Sequence, residues 1–163
     1  MIRFVPGPDS QTDFREALGA FATGVTVVTC RSSHGPLGIT ANSFSSVSLD
    51  PPLVLWCPAK SSSRFDAFVR AKRFAIHVLR RDQQPLCRRF ASEGLAFEGL
   101  DWREDAAGVP ELDGCLARFE CASEAVHDAG DHAIVVGLVL AVTRQRGEPL
   151  IFAGGRYGGV DLD

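Results

Sequence analysis

Ten consecutive residues without a polar side chain, Ala133-Ile-Val-Val-Gly-Leu-Val-Leu-Ala-Val142, constrain this chain more than any other stretch. The run reads as a β-strand covered on both faces, so other elements must lie above and below it. Gly24-Val-Thr-Val-Val-Thr-Cys30 is β-branched, Ser32-Ser-His-Gly-Pro36 is a turn cluster and Leu37-Gly-Ile-Thr40 follows, which predicts a hairpin. Val47-Ser-Leu49 and Leu53-Val-Leu-Trp-Cys57 flank Asp50-Pro51-Pro52. Neither proline can donate a ladder bond, so an irregular crossing is expected between those two strands. Phe74 to Leu79 is a further strand, and Leu116 to Ala125 alternates, with Arg118, Glu120 and Glu124 on a solvated face opposite Phe119 and Cys121.

Three short helices complete the reading. Phe14, Ala17, Leu18 and Phe21 have helical spacing, with Thr12 or Asp13 as the cap and Gly24 as the stop. Phe65, Phe68 and Val69 share one face, as do Leu86, Cys87 and Phe90 within the stretch from Gln83 to Ser92. The stretch from Ser92 to Gly114 is broken by Gly94, Gly99, Gly108 and Pro110 and is expected to be a surface excursion that adds little to the core. About seven strands joined by hairpins, without βαβ alternation, favour a closed antiparallel barrel over a doubly wound sheet.

With 163 residues, 45% hydrophobic and 23% charged, the whole of 1–163 is read as one globular domain with a core that needs no metal or disulfide. Seventeen Lys and Arg against twenty Asp and Glu leave a net charge of -3, which argues against nucleic acid as a partner. No apolar run approaches the ~20 residues of a membrane helix and the start lacks the pattern of a signal peptide, so no membrane partner is expected. Cys30, Cys57, Cys87, Cys115 and Cys121 form no CxxC pair and have no histidine at zinc-ligand spacing. They read as buried thiols of a reducing, cytoplasmic compartment. Arg64 to Glu93 holds eight Lys or Arg against three acids, and Gly94 to Asp131 two against ten. Such segregation suits a subunit interface, an anionic ligand, or two solvated faces.

Three constellations carry chemistry. From Thr40 to Ser48 nearly every side chain is small or hydroxylic, so a flat heteroaromatic ring could approach the backbone and meet the Asn42 amide; an ordinary loop has the same composition. Ser61, Ser62 and Ser63, with Lys60 and Arg64 beside them, precede a helix and offer hydroxyls, free N–H groups and the positive end of a helix dipole to a phosphate, or simply cap the helix. His132, at the mouth of the apolar strand, suits either the orientation of a nicotinamide or plain solvation. His77, inside the strand Phe74 to Leu79, reads as a satisfied strand histidine. No HExxH, P-loop, GxSxG or GxGxxG occurs.

Taken together, Phe21-Ala-Thr-Gly-Val-Thr-Val-Val-Thr29, Gly38-Ile-Thr-Ala-Asn-Ser-Phe-Ser-Ser-Val-Ser-Leu-Asp-Pro51, Gly130-Asp-His132 and Pro149-Leu-Ile-Phe-Ala-Gly-Gly-Arg-Tyr157 resemble the short-chain flavin reductases, the reductase components of two-component flavin-dependent monooxygenases. The resemblance spans Phe14 to Tyr157 and implies a mainly β, Greek-key-like antiparallel split barrel with a few short helices. It further implies a homodimer that reduces FMN or FAD with NADH or NADPH and serves a monooxygenase partner. By position, it assigns Thr40, Ala41, Asn42, Ser43 and Phe44, with Ser46 and Val47, to the isoalloxazine and ribityl chain, and Ser61, Ser62 and Ser63 to the phosphate region. Phe90 and Ala91 match a pair that lines the flavin site, and His132 with Ala153, Gly154, Gly155 and Arg156 matches the nicotinamide site. His77 stands where members often have Asn, so no contact is carried over to it. A hydride passing from nicotinamide to flavin between stacked rings needs no nucleophile or metal. The alternative is a non-catalytic flavin-binding or electron-carrying barrel.

Overall fold

The computed structural model describes residues 2–160; residue 1 and residues 161–163, the ends of the expected domain, lie outside the described residues. The chain opens with helix α1 (Gln11–Gly19), followed by strands β1 (Thr23–Gly24), β2 (Thr26–Ser32), β3 (Gly35–Ala41), β4 (Ser45–Leu49) and β5 (Pro52–Trp56). Helix α2 (Phe65–Arg70), strand β6 (Arg73–Val78) and helix α3 (Gln84–Ser92) come next. Strands β7 (Trp102–Glu104), β8 (Pro110–Leu112), β9 (Ala117–Ala129), β10 (His132–Arg144), β11 (Ile151–Ala153) and β12 (Arg156–Gly158) complete the chain. The main sheet has the order β3-β2-β6-β9-β10-β5-β4, with every neighbouring pair antiparallel. These seven strands are the seven expected. The sheet is not closed: β3 and β4, consecutive in sequence, are its two edges, so the closed barrel of the sequence reading gives way to one with an open seam.

The expected β2–β3 hairpin forms, in register from Thr26↔Ala41 to Ser32↔Gly35. Its two-residue turn delivers the chain to Gly35 at φ 106°, a conformation open to glycine. The expected irregular crossing at Asp50-Pro51-Pro52 is instead a tight hairpin turn. Leu49 pairs with Pro52, which starts β5, where a missing N–H is tolerated, and the Asp50–Pro51 bond is cis.

Two cores lie on opposite sides of β2. Val28 and Cys30 face α2 and pack with Trp56, Phe68 and Phe74; Val25 and Val27 face α3 and pack with Cys87, Phe90 and Phe97. Because alternate residues of a strand point to opposite faces, one β-branched run serves both cores. Contrary to expectation, the excursion after α3 belongs to the second core. Phe97, Val109 and Leu112 are buried, and Phe97 stacks edge-on between Phe90 (4.9 Å) and Trp102 (5.0 Å). The same segment buries Arg118, expected on a solvated face: its guanidinium lies 3.0 Å from the buried Glu111 carboxylate, which also meets Arg103 at 3.0 Å. Burial raises the Glu111 pKa, opposed by the Arg118 charge.

β10 also departs from the sequence reading. Burial alternates from His132 to Gly137, and from Leu140 to Arg144 the strand is exposed in the single chain, with Leu140 47% and Val142 52% exposed. Helix α1 buries no side chain, leaving Phe14 and Leu18 exposed; Phe21, which the expected helix included, lies beyond its end and is exposed as well. It starts after Ser10, whose Oγ accepts from the Gly7 N–H (2.9 Å), rather than after the expected Thr12 or Asp13. No helix among the described residues is long and apolar enough to cross a membrane. All five cysteines are free; four are buried and Cys57 is half-buried.

Candidate functional site

The open seam gathers the ring-binding candidates. β3 is an edge strand, and at Gly38 its outward backbone groups are already used: the Gly38 N–H donates to Gly94 O (2.9 Å) and Gly38 O accepts from Arg64 Nη1 (3.0 Å). By the two-residue alternation of an antiparallel ladder, Thr40 also turns its N–H and C=O toward the seam. The Thr40 hydroxyl donates to Cys87 O (2.7 Å), which fixes the strand on α3. Asn42, Ser43 and Phe44 then cross to β4. Ser43 Oγ accepts from Cys57 N (2.9 Å) and is a rivet between the two sides, while the Phe44 ring packs 5.4 Å from Phe119. Asn42, Ser46 and Val47 are exposed on the seam, and Val47 sits in a bulge where the β4–β5 register shifts between Ser46 and Ser48. Ala41 is half-buried, and its carbonyl accepts from Thr26 Oγ1 (2.7 Å).

The serine run stands beside this seam. Ser61 and Ser63 are exposed; Ser62 Oγ accepts from Arg64 N (3.2 Å). Helix α2 begins only at Phe65 and has six residues, so the dipole invoked from sequence is slight. Both neighbouring cations are engaged. Lys60 Nζ pairs with Asp128 and donates to Gly130 O (2.6 Å). Arg64 donates to Gly38 O, to Phe90 O (2.7 Å) and to Ala91 O (3.2 Å), a clamp that joins β3, the end of α3 and the serine run. Its partners are carbonyls, so its positive charge stays unneutralised by them; desolvation lowers its pKa and nearby Glu93 opposes the shift. Gly38 and Gly94 are required by this packing, because a Cβ on Gly38 would lie 2.5 Å from the Phe90 ring and one on Gly94 2.6 Å from Arg64 Cδ. Phe90 thus reaches the site through its carbonyl, since its side chain is fully buried, whereas Ala91 is exposed.

His132 opens β10 next to the serine run. It bridges to Ala59, the Lys60 N–H donates to Asp131 O (2.9 Å), and His132 Nδ1 lies 2.7 Å from Asp131 Oδ1. That contact lowers the Asp131 pKa. The glycine hairpin is anchored elsewhere. β11 and β12 pair through the turn Gly154-Gly155, both at positive φ (55° and 74°), leaving Ala153 half-buried and Arg156 exposed. Gly154 N donates to Gly19 O (2.8 Å) at the end of α1. Tyr157 stacks 5.1 Å from Phe152, and its contact with the Cys87 thiol, together with burial, raises its pKa to about 12. Cys87 therefore joins Thr40 on one side to Tyr157 on the other, and so the ring strand to the glycine hairpin. Sequence reasoning did not single out Tyr157 or the clamping role of Arg64; the signals were the Tyr closing the last motif and the Arg closing the serine run.

His77 takes no part in the seam. Its Nδ1 lies 3.0 Å from Val27 O and its Nε2 accepts from Leu112 N (3.0 Å), so both ring nitrogens are used inside the protein, as expected of a satisfied strand histidine. Burial pushes its pKa down to about 3.

A cavity of about 780 Å³ begins at Ser63 and Arg64 and runs between the tip of the β2–β3 hairpin, α2 and the end of α3. Among the described residues, no cluster of His, Cys, Asp or Glu could hold a metal. Exposed hydroxyls, an unpaired strand edge and a charge-bearing arginine on one rim fit a phosphorylated, flat, heteroaromatic group.

Fold and geometry together define an antiparallel split barrel with polar, partly exposed groups along an open seam. The chain belongs to the flavin reductase like domain family, whose model matches residues 18–161. It is 59% identical over 155 residues to the FMN reductase (NADH) SmoA of Agrobacterium fabrum, covering 95% of this chain and 89% of that one. It is 43% identical over 152 residues to HsaB, the reductase subunit of a flavin-dependent monooxygenase of Rhodococcus jostii, covering 92% and 78%. Among solved structures it resembles the NADH:FAD oxidoreductase of Streptomyces globisporus in complex with NAD and FAD fragments, with TM-score 0.90, 38% identity and 99% of each chain covered.

Proposed function

We propose that this chain is an NADH-dependent flavin reductase that supplies reduced flavin to a monooxygenase partner. The observation that carries the reading is the seam itself, where the free backbone edge at Thr40, the exposed Asn42 and the serine run lie in sequence along one rim, in a chain of the flavin reductase family. When bound, flavin and nicotinamide supply the redox chemistry, a hydride moving from the nicotinamide to the flavin. The chain binds and orients. Thr40, Ala41, Asn42, Ser43 and Phe44, with Ser46 and Val47, hold the ring and its ribityl chain. Ser61, Ser62 and Ser63 receive the phosphate, and Arg64, through Phe90 O and Ala91 O, fixes the distance between the two sites. His132, with Ala153, Gly154, Gly155 and Arg156, receives the nicotinamide nucleotide.

The whole chain acts as one domain, and a second copy completes the fold. Phe21, Leu140 and Val142 are 77%, 47% and 52% exposed, a cost that a homodimer interface removes. His132 and the glycine hairpin are anchored at separate places in one chain, and a second copy can bring them together. Five free cysteines suit the cytoplasm. Anaerobic addition of NADH to protein and flavin tests the reading: the yellow flavin absorbance disappears if it is right, and persists with bound flavin if the chain is a non-catalytic flavin carrier. Sedimentation equilibrium tests the dimer, and a single-chain mass at micromolar concentration overturns it.

A further inference from the structure

Three polar side chains meet inside the apolar second core. Cys87, on α3, is fully buried beside Phe90 and Leu150, and the half-buried Tyr157 packs against the same cluster. The Cys87 thiol touches the Tyr157 hydroxyl on one side and the Thr40 hydroxyl on the other. Thr40 already gives its proton to Cys87 O (2.7 Å), so toward the thiol its oxygen only accepts. The sequence of donors is thereby fixed: Tyr157 O–H to Cys87 Sγ, and Cys87 S–H to Thr40 Oγ1. Each group satisfies the next where water is excluded, and removing one leaves its neighbour unpaired. The two ends of this relay belong to different places. Thr40 lies on the ring strand β3, whereas Tyr157 lies on β12, the outer strand of the sheet β1-β11-β12, which pairs in a ladder only with β11. Alternation along β12 turns Tyr157 inward and Arg156 outward, and Arg156 is exposed. The turn Gly154-Gly155 is tied to the end of α1 by Gly154 N to Gly19 O (2.8 Å), and Tyr157 ties the return strand to α3 and β3.

We propose that Tyr157, acting through Cys87, is a positioning residue for hydride transfer: it holds the glycine hairpin at a set distance from Thr40, and so the nicotinamide nucleotide at a set distance from the flavin ring. The inference rests on the flavin reductase reading above and adds to it a residue that touches neither ligand. Rate is sensitive to such a device, because a misplacement of ~1 Å between reacting groups costs about a hundredfold. Flavin affinity is not, because Thr40 keeps its bond to Cys87 O when the Tyr157 hydroxyl is gone.

Anaerobic single-turnover reduction of bound flavin by NADH, with flavin affinity measured in parallel by fluorescence quenching, tests the assignment. Tyr157→Phe keeps the ring that stacks on Phe152 and removes only the hydroxyl. It is expected to slow flavin reduction about tenfold, to weaken the long-wavelength absorbance of the stacked nicotinamide–flavin pair, and to change flavin affinity less than about twofold. Cys87→Ala is expected to show the same loss and Cys87→Ser to restore most of the rate, since a hydroxyl both accepts and donates as the thiol does. The double variant Tyr157→Phe with Cys87→Ala is expected to be no slower than either single variant, as two members of one relay require. An unchanged rate in Tyr157→Phe, losses that multiply in the double variant, or flavin affinity that falls in step with rate overturns the proposal. Should Cys87→Ala fail to fold, Tyr157→Phe alone still decides. Failure of the unaltered protein to reduce flavin overturns the reductase reading itself, and this inference with it.

Discussion

Two strand histidines of this chain end in opposite surroundings. His77, in the middle of β6, is fully buried, with one ring nitrogen on Val27 O and the other on Leu112 N. His132, at the first position of β10, keeps 43% of its side chain exposed, and its Nδ1 lies 2.7 Å from the neighbouring Asp131 carboxylate. Residue type is the same, but topology decides the role. A strand between two covered faces uses a histidine's hydrogen-bonding capacity for its own backbone, whereas a strand end at a seam leaves that capacity for a ligand. The α3 side of the molecule is therefore the closed half, and the rim from Asn42 through Ser63 to His132 is the open half, where side chains keep contact with solvent.

The contrast breaks most readily at the closed half. Phe90→Ala removes a fully buried ring that packs on Phe97 and Gly38, and is expected to cost about 4 kcal/mol in urea unfolding. A cost below ~1 kcal/mol would mean that the Phe90 ring does not hold the closed half together. His77→Leu, which keeps bulk but strands Val27 O and Leu112 N, is expected to cost about 3 kcal/mol.

Titration sharpens the same contrast. His77 is held neutral down to about 3, whereas in the unfolded chain it protonates near 6.5. Between those values the unfolded state binds more protons, so stability rises with pH across the window and is lost as pH falls from 6.5 toward 3. From pH 7 to pH 5 this one group is expected to contribute a loss of about 2 kcal/mol, measured as the difference between wild type and His77→Leu in parallel urea curves. Identical pH slopes in the two proteins would mean that His77 is not buried neutral. The smallest effect belongs to the rim: His132→Ala is expected to raise the KM for NADH about tenfold, a change of ~1.4 kcal/mol, with thermal stability unchanged. Lost stability in that variant would make His132 a second structural histidine.

Much of this division can be read from residue order. All seven strands of the main sheet follow from β-branched runs and alternation, because an edge or half-covered strand writes its period into the sequence. What escapes is long-range covering. Nothing local tells that Phe97 and Leu112, scattered among glycines and acids, return onto α3 and β6, or that Glu111 arrives beside Arg118 and removes it from water. The apolar run of β10 likewise states a need for cover on two faces without stating that one chain supplies only part of it. At the site, small and hydroxylic residues mark the seam, but the Arg64 clamp depends on three carbonyls contributed by β3 and α3, and no pattern around Arg64 encodes them.

An unzipped sheet has a second consequence, for solubility. Free strand edges invite pairing with the edges of other molecules, the first step toward fibrils. Here β3 is protected at its centre because the Gly38 backbone is occupied by Gly94 and Arg64, so an incoming strand finds the ladder broken. β4 is protected by the bulge at Val47, which interrupts a straight row of donors and acceptors. These two devices let the seam stay open without offering a polypeptide a continuous edge to pair with.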